Sequence, residues 1–206
     1  MSRGRFITLE GGEGAGKSTH AAAIRDWLQA RGREVILTRE PGGSPLAEEI
    51  RRVVLQPWAE GVGAESEVLL MFAARAAHLK ATVLPALAAG RDVVCDRFID
   101  SSYAYQGAGK GLGEHHVAAL EKLVLGDFRP DLTLVFDLPP EQGLARARGR
   151  GEVNRFEDES LAYMGRVREC FLRRAAADPQ RCVVIDAAPP LERVSESLRA
   201  VLEGRL

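Results

Sequence analysis

The chain has 206 residues, enough for one domain with a substantial core, and its 46% hydrophobic and 28% charged residues are those of an ordinary globular protein. A formal charge of −1 argues against a protein that coats nucleic acid polymers, and the longest stretch free of Asp, Glu, Lys and Arg, Ala81 to Gly90, is far short of the roughly 18 residues a membrane span needs. The N-terminal apolar run is too short for a secretory signal, and Cys95, Cys170 and Cys182, widely spaced among apolar neighbours, read as reduced packing residues of a cytoplasmic protein.

Taken in order, Phe6–Leu9 is the first of five short apolar runs that predict strands, followed by Val35–Leu37, Val93–Cys95, Leu132–Phe136 and Cys182–Ile185. Between them lie longer patterns that stop where a glycine can cap a helix: Lys17–Arg31 before Gly32, Glu65–Ala89 before Gly90, Glu114–Leu125 before Gly126, and Leu191–Leu202 near Gly204. Gln56–Ala64 reads as an internal loop. His115 and His116 open the third of these helices, where neighbours point about 100° apart, so they read as a solvated helix start and not as a metal pair. Arg146–Arg155 breaks the rhythm, interleaving arginines with Gly149 and Gly151, and predicts a mobile segment. A helix over Glu157–Arg174 follows, its arginines read as a solvated face. The alternation predicts one α/β domain with a parallel sheet.

The eight residues "GGEGAGKS" follow the first strand and open the first helix. In that context Gly11, Gly12, Glu13, Gly14, Ala15, Gly16, Lys17, Ser18 and the adjacent Thr19 form a phosphate cradle, with backbone N–H groups and the lysine closing on polyphosphate. Lys17 would reach the β and γ phosphates and Ser18 would offer its hydroxyl to Mg²⁺, which makes ATP the expected donor. The acid that completes a magnesium site belongs at a neighbouring strand end. Asp96, followed at once by Arg97, is better placed than Asp137, which reads as a strand end before a helix starting with proline.

A cradle alone does not name a reaction. A guanine-specific switch usually carries Asn-Lys-x-Asp, yet Asn154 is the sole asparagine and Arg155 follows it. A kinase needs cations that follow charge during transfer, and Arg51, Arg97 and the arginine-rich segment supply them. A phosphomonoester acceptor is mostly dianionic near pH 7, so it needs no base and its problem is like-charge repulsion. Two arginines therefore favour a nucleotide over a nucleoside acceptor, for which Asp96 would have to act as base. Arg51 also lies beside Glu48 and Glu49 on a predicted helix, where a surface ion pair is the plainer role.

"TREPGG" at 38–43, Asp96-Arg97, "SSYAYQG" at 101–107, "LGDFRPDL" at 125–132 and "RARGRGEVNRFE" at 146–157 together resemble the bacterial thymidylate kinases, in order and over nearly the whole chain. The resemblance implies transfer of the γ-phosphate of ATP to dTMP, giving dTDP for dTTP synthesis and DNA replication. It further implies magnesium, a five-stranded parallel P-loop kinase core with a short lid at about 146–156, and a homodimer. By position it assigns Arg51 and Arg97 to the acceptor's phosphate, and Arg75 to thymine. Ser101, Ser102 and Gln106 become polar contacts, Tyr105 packs under the deoxyribose, and Asp186, Ala187 and Ala188 stand near adenine. Arg150 would reach the transferring phosphoryl. Glu13, an acid inside an anion cradle, would accept a hydrogen bond from the acceptor's 3′-hydroxyl. One departure stands out: relatives usually place a phenylalanine where this chain has Met71, and Phe72 is the next residue. The expectation is Met71 at the base and Phe72 in the core.

Overall fold

The computed structural model of the chain describes residues 3–149 and 160–206. The expected lid residue Arg150 lies outside the described residues, as does Arg155. Five strands, β1 (Phe6–Gly11), β2 (Val35–Arg39), β3 (Asp92–Asp96), β4 (Leu132–Asp137) and β5 (Cys182–Asp186), form one sheet in the order β2-β3-β1-β4-β5, every pair parallel. Every residue of β1 is buried, as expected for a central strand covered on both faces. Its polar side chains must therefore find internal partners: Thr8 Oγ1 lies 2.8 Å from Thr133 Oγ1 on β4, and Glu10 is described below.

One face of the sheet packs on α1 (Lys17–Gln29) and α9 (Leu191–Arg205), through Ile24, Leu28, Val194, Leu198 and Leu202 against Ile7, Leu9, Leu134 and Ile185. The other is covered by α3 (Ala64–His78), α5 (Ile99–Ser102), α6 (Glu114–Leu125) and α8 (Leu161–Ala177), with Phe72, Phe98, Tyr105, Val167 and Phe171 in the core. The remaining helices are α2 (Pro45–Leu55), α4 (Leu84–Ala88) and α7 (Pro140–Arg148). The single helix expected over Glu65–Ala89 is interrupted by a π-helical turn at Leu79–Val83. Pro85, one residue into α4, has no N–H to donate and its ring crowds the preceding turn, which the wider turn relieves. The run Ala64–Ala88 is long and apolar enough to cross a membrane, yet its Glu67, Arg75 and His78 are buried in polar contacts of the core.

Two expectations change here. α7 continues to Arg148, so the start of the segment expected to be mobile is helical. The α8 arginines are not a merely solvated face. Arg168 binds both oxygens of Asp137 at 2.6 and 2.9 Å, Arg173 pairs with Glu114, and Arg174 donates to the buried Asp100 at 2.6 Å while lying over the Tyr103 ring. Their partners are distant in sequence, so helical periodicity carried no sign of them. α8 itself starts at Leu161 behind a Ser160 cap whose hydroxyl accepts from the Tyr163 N–H, and 157–159 lie outside the described residues. All three cysteines are buried and free.

Candidate active site

The cradle turns off the carboxyl end of β1 into α1. Gly14 has φ 70°, and a Cβ there would lie 2.1 Å from the Gly143 carbonyl of α7; only glycine lets the loop rest on that helix. Lys17 is buried and donates to the Gly12 carbonyl at 2.6 Å, curled over the loop it would clamp. Burial, and then the Arg97 guanidinium, push its ammonium down to about 8.

β3 ends on the corner that faces this loop. Ser18 Oγ donates to Asp96 Oδ2 at 2.6 Å, so two residues far apart in sequence meet at the mouth of the loop. Asp96 Oδ1 is buried without a hydrogen-bond partner, an unused hard oxygen beside a hydroxyl, which fits Mg²⁺. Asp137 is consumed by Arg168 and does not compete for that role. Arg97 follows at φ 71°, a left-handed conformation rare for a side chain of its size. Its guanidinium donates to Gly11 O at 3.0 Å, Ser101 Oγ at 3.3 Å and Glu13 Oε1 at 2.7 Å. Burial opposes its charge, but Glu13, Tyr105 and Asp96 hold its pKa above the ordinary arginine value.

A cavity of about 460 Å³ opens between the cradle, this corner and α2–α3. Glu13, Arg51, Met71, Arg97, Ser101, Tyr105 and Gln106 line it. Glu13 turns into this cavity: Oε1 accepts from Arg97 and, at 2.9 Å, from the Tyr105 hydroxyl. Arg51 donates to Pro41 O at 2.7 Å, while Glu48 pairs with Arg39 and Glu49 with Arg52; the surface-pair role for Arg51 is ruled out. Burial, and then the Arg39 guanidinium, lower its pKa against the opposing pull of Glu48. Gln106 Nε2 donates to Glu67 at 2.8 Å and leaves Oε1 buried without a partner at the cavity. Lys110 completes that group at 2.9 Å from Glu67.

Met71 is at the cavity, and Phe72 is in the core beneath the Arg75 guanidinium, 4.8 Å from it. Arg75 and Ser102 were expected to line the acceptor site and do not. Arg75 is 1% exposed and donates to Glu40 at 2.7 Å, to Ser102 Oγ at 3.0 Å and to Phe98 O at 2.9 Å, because a guanidinium this buried needs internal partners. On the donor's side, Arg146 donates to the carbonyls of Ala187 and Ala188, both at 2.8 Å, and Asp186 Oδ1 accepts from the Ala188 N–H, which shapes the loop after β5. Arg146, the first arginine of the segment expected to form the lid, is thus committed to these carbonyls.

Sequence reasoning passed over Glu10, Glu40 and Arg39. Glu10 is buried, accepting from Phe98 N–H at 2.9 Å and Ser101 Oγ at 2.5 Å; burial, then Asp100, raise its carboxyl to about 7. Glu40 joins Arg75 to His78 Nδ1, 3.0 Å away. Glu40 stands inside "TREPGG", and Glu10 directly precedes the cradle, where an acid closing a mostly apolar run was a readable sign.

A γ-phosphate held by the cradle would meet Arg97 and Arg51 across a cavity roomy enough for a second nucleotide, the requirement of a P-loop phosphotransferase acting on an acceptor that already carries a phosphate. The thymidylate kinase family model matches residues 9–198. Thymidylate kinases of Pseudomonas fluorescens strain Pf-5 and Pseudomonas putida strain W619 are 59% and 55% identical, covering 97% and 98% of this chain and 95% and 97% of theirs. The crystal structure of the Ehrlichia chaffeensis thymidylate kinase superposes with a TM-score of 0.80 at 32% identity, covering 97% of this chain and 99% of that one. The chain belongs to the thymidylate kinase family, whose reaction is the ATP-dependent phosphorylation of dTMP to dTDP.

Proposed function

We propose that this chain phosphorylates dTMP with Mg·ATP through the following division of labour. Lys17 and the loop N–H groups hold the donor's β and γ phosphates, and the 186–188 loop borders its adenine. Ser18 and Asp96 would hold Mg²⁺, which would supply charge neutralisation at the phosphate oxygens. Arg51 and Arg97 take the acceptor's phosphate, so its dianionic oxygen attacks the γ-phosphorus without a base as the bond to ADP breaks. Glu13 accepts from the 3′-hydroxyl, and Tyr105 packs under the deoxyribose. Met71 and Gln106 border thymine, with Arg75 behind them keeping for it the N–H groups beyond its three internal bonds. Arg150 reaches the transferring phosphoryl from the lid.

The observation that supports this reading is the Asp96–Arg97 corner, where a carboxylate bonded to Ser18 and a guanidinium bonded to Glu13 stand on consecutive residues facing one cradle. Titration calorimetry tests it. The protein binds dTMP far more tightly than thymidine, and Arg97→Ala removes most of that difference while ATP still binds; equal binding of the two acceptors by the parent would end the assignment. The chain works as a cytoplasmic homodimer on two small-molecule substrates, without nucleic acid polymer or membrane. Leu69, 57% exposed on α3, and Leu123, 79% exposed on the neighbouring α6, support such an interface.

A further inference from the structure

Arg97 is the one non-glycine residue with positive φ among the described residues, and the corner it makes aims Asp96 at Ser18 and its own guanidinium at Glu13. Such a backbone persists only where its surroundings over-determine it. Two contacts come from β1: Arg97 N–H donates to Leu9 O at 2.9 Å, and Phe98 N–H to Glu10 Oε1 at 2.9 Å. The second oxygen of Glu10 receives the Ser101 hydroxyl, which in turn accepts from Arg97 Nη1. We propose that Glu10 is a positioning residue for phosphoryl transfer, its carboxylate clamping the Phe98 N–H and the Ser101 hydroxyl so that the left-handed Arg97 corner holds its aim.

Glu10 sits fully buried in the central strand, and among the described residues neither oxygen hydrogen-bonds to a lysine or arginine. A slot there with no task beyond stability suits an apolar side chain better, since a buried acid without a bonded cation is costly. What Glu10 has instead is geometry: one oxygen on the Phe98 N–H directly after the corner, the other on the Ser101 hydroxyl that bonds the Arg97 guanidinium. The far side is anchored independently, because Asp100, beside Ser101 on α5, is gripped by Arg174 at 2.6 Å and Arg181 at 2.7 Å. The corner is thus held between β1 and α5, and Glu10 is the link across it.

The inference rests on the reading of Asp96 and Arg97 at the transfer centre, and steady-state kinetics on the full chain test both. In Glu10→Ala the corner loosens: kcat falls on the order of a hundredfold, as for misplacement of about 1 Å, and KM for dTMP rises while KM for ATP holds. Glu10→Gln recovers most of the lost kcat, because its carbonyl still accepts from Phe98 and its amide can donate to Ser101 Oγ. A folded Glu10→Ala with parental kcat overturns the proposal, as does a kcat loss with both KM values unchanged, the mark of a smaller folded fraction. A glutamine variant as impaired as the alanine variant also overturns it. Should Glu10→Ala not fold, Ser101→Ala opens the same clamp from the other side, and a parental kcat there is equally fatal. A parent that makes no dTDP sinks the functional reading, whereas an active parent with an indifferent Glu10 sinks this inference alone.

Discussion

Met71 and Phe72 are consecutive on α3 yet face different surroundings, so exchanging each for alanine separates base recognition from folding. Phe72 is 2% exposed, in the core beneath the Arg75 guanidinium. Removing a buried ring costs about 3–5 kcal/mol. For a chain of this length each kcal/mol moves Tm by about 2–4 °C, so Phe72→Ala melts roughly 6–20 °C lower, while dTMP binding by the folded fraction is largely kept. Met71 is 6% exposed and borders the open cavity. A methionine sulfur against a ring contributes ~0.3–1.5 kcal/mol, so Met71→Ala raises KM for dTMP by about two- to tenfold with a smaller change in Tm. Circular dichroism melts and dTMP saturation curves at fixed Mg·ATP measure both. If Phe72→Ala melts like the parent and loses dTMP, while Met71→Ala binds normally, the ring and not the thioether stands at the base, and the α3 register and Arg75's assignment to thymine fail together.

Asp100→Ala strands two arginines, Arg174 and Arg181, and costs about 3–5 kcal/mol by urea unfolding, far more than a surface pair; a loss below ~1 kcal/mol would show that neither arginine depends on it. Glu10 has a folded-state pKa raised from 4.5 to about 7. The folded state therefore binds that proton more tightly, and the stability it brings is full below about pH 4.5 and lost as pH rises through 7. Glu10→Gln accordingly loses less stability than the parent between pH 5 and pH 8, and parallel profiles would refute that ionisation. Arg150→Ala lowers kcat by ~10³–10⁵ with little change in dTMP binding; near-parental turnover would move the role to another arginine of the segment.

Much of the fold was legible because its determinants are local. An apolar run such as Phe6–Leu9 reads as a strand, and the cradle declares itself by its spacing between that strand and a helix. Met71 and Phe72 could be placed because one helical residue turns a side chain by about 100°. What stayed hidden depends on contacts between distant segments. Arg168, Arg173 and Arg174 look like solvent-facing charge until Asp137, Glu114 and Asp100 are folded against them. Arg51 had acidic neighbours in sequence, but tertiary packing gave it a carbonyl instead. Arg75 was expected at the thymine surface and is sunk behind the cavity, since no local pattern shows the depth of a side chain that brings its own bonded acid.

The central claim is that one loop and one strand corner deliver a γ-phosphate to an acceptor that already bears a phosphate. Incubating the full chain with Mg·ATP and, separately, dTMP, thymidine or no acceptor, then resolving the nucleotides by anion-exchange chromatography, tests it most directly. dTDP and ADP form in equal amounts from dTMP, with no product from thymidine and little ADP without acceptor. Formation of dTMP from thymidine, or ADP release at the same rate with every acceptor and with none, would contradict it.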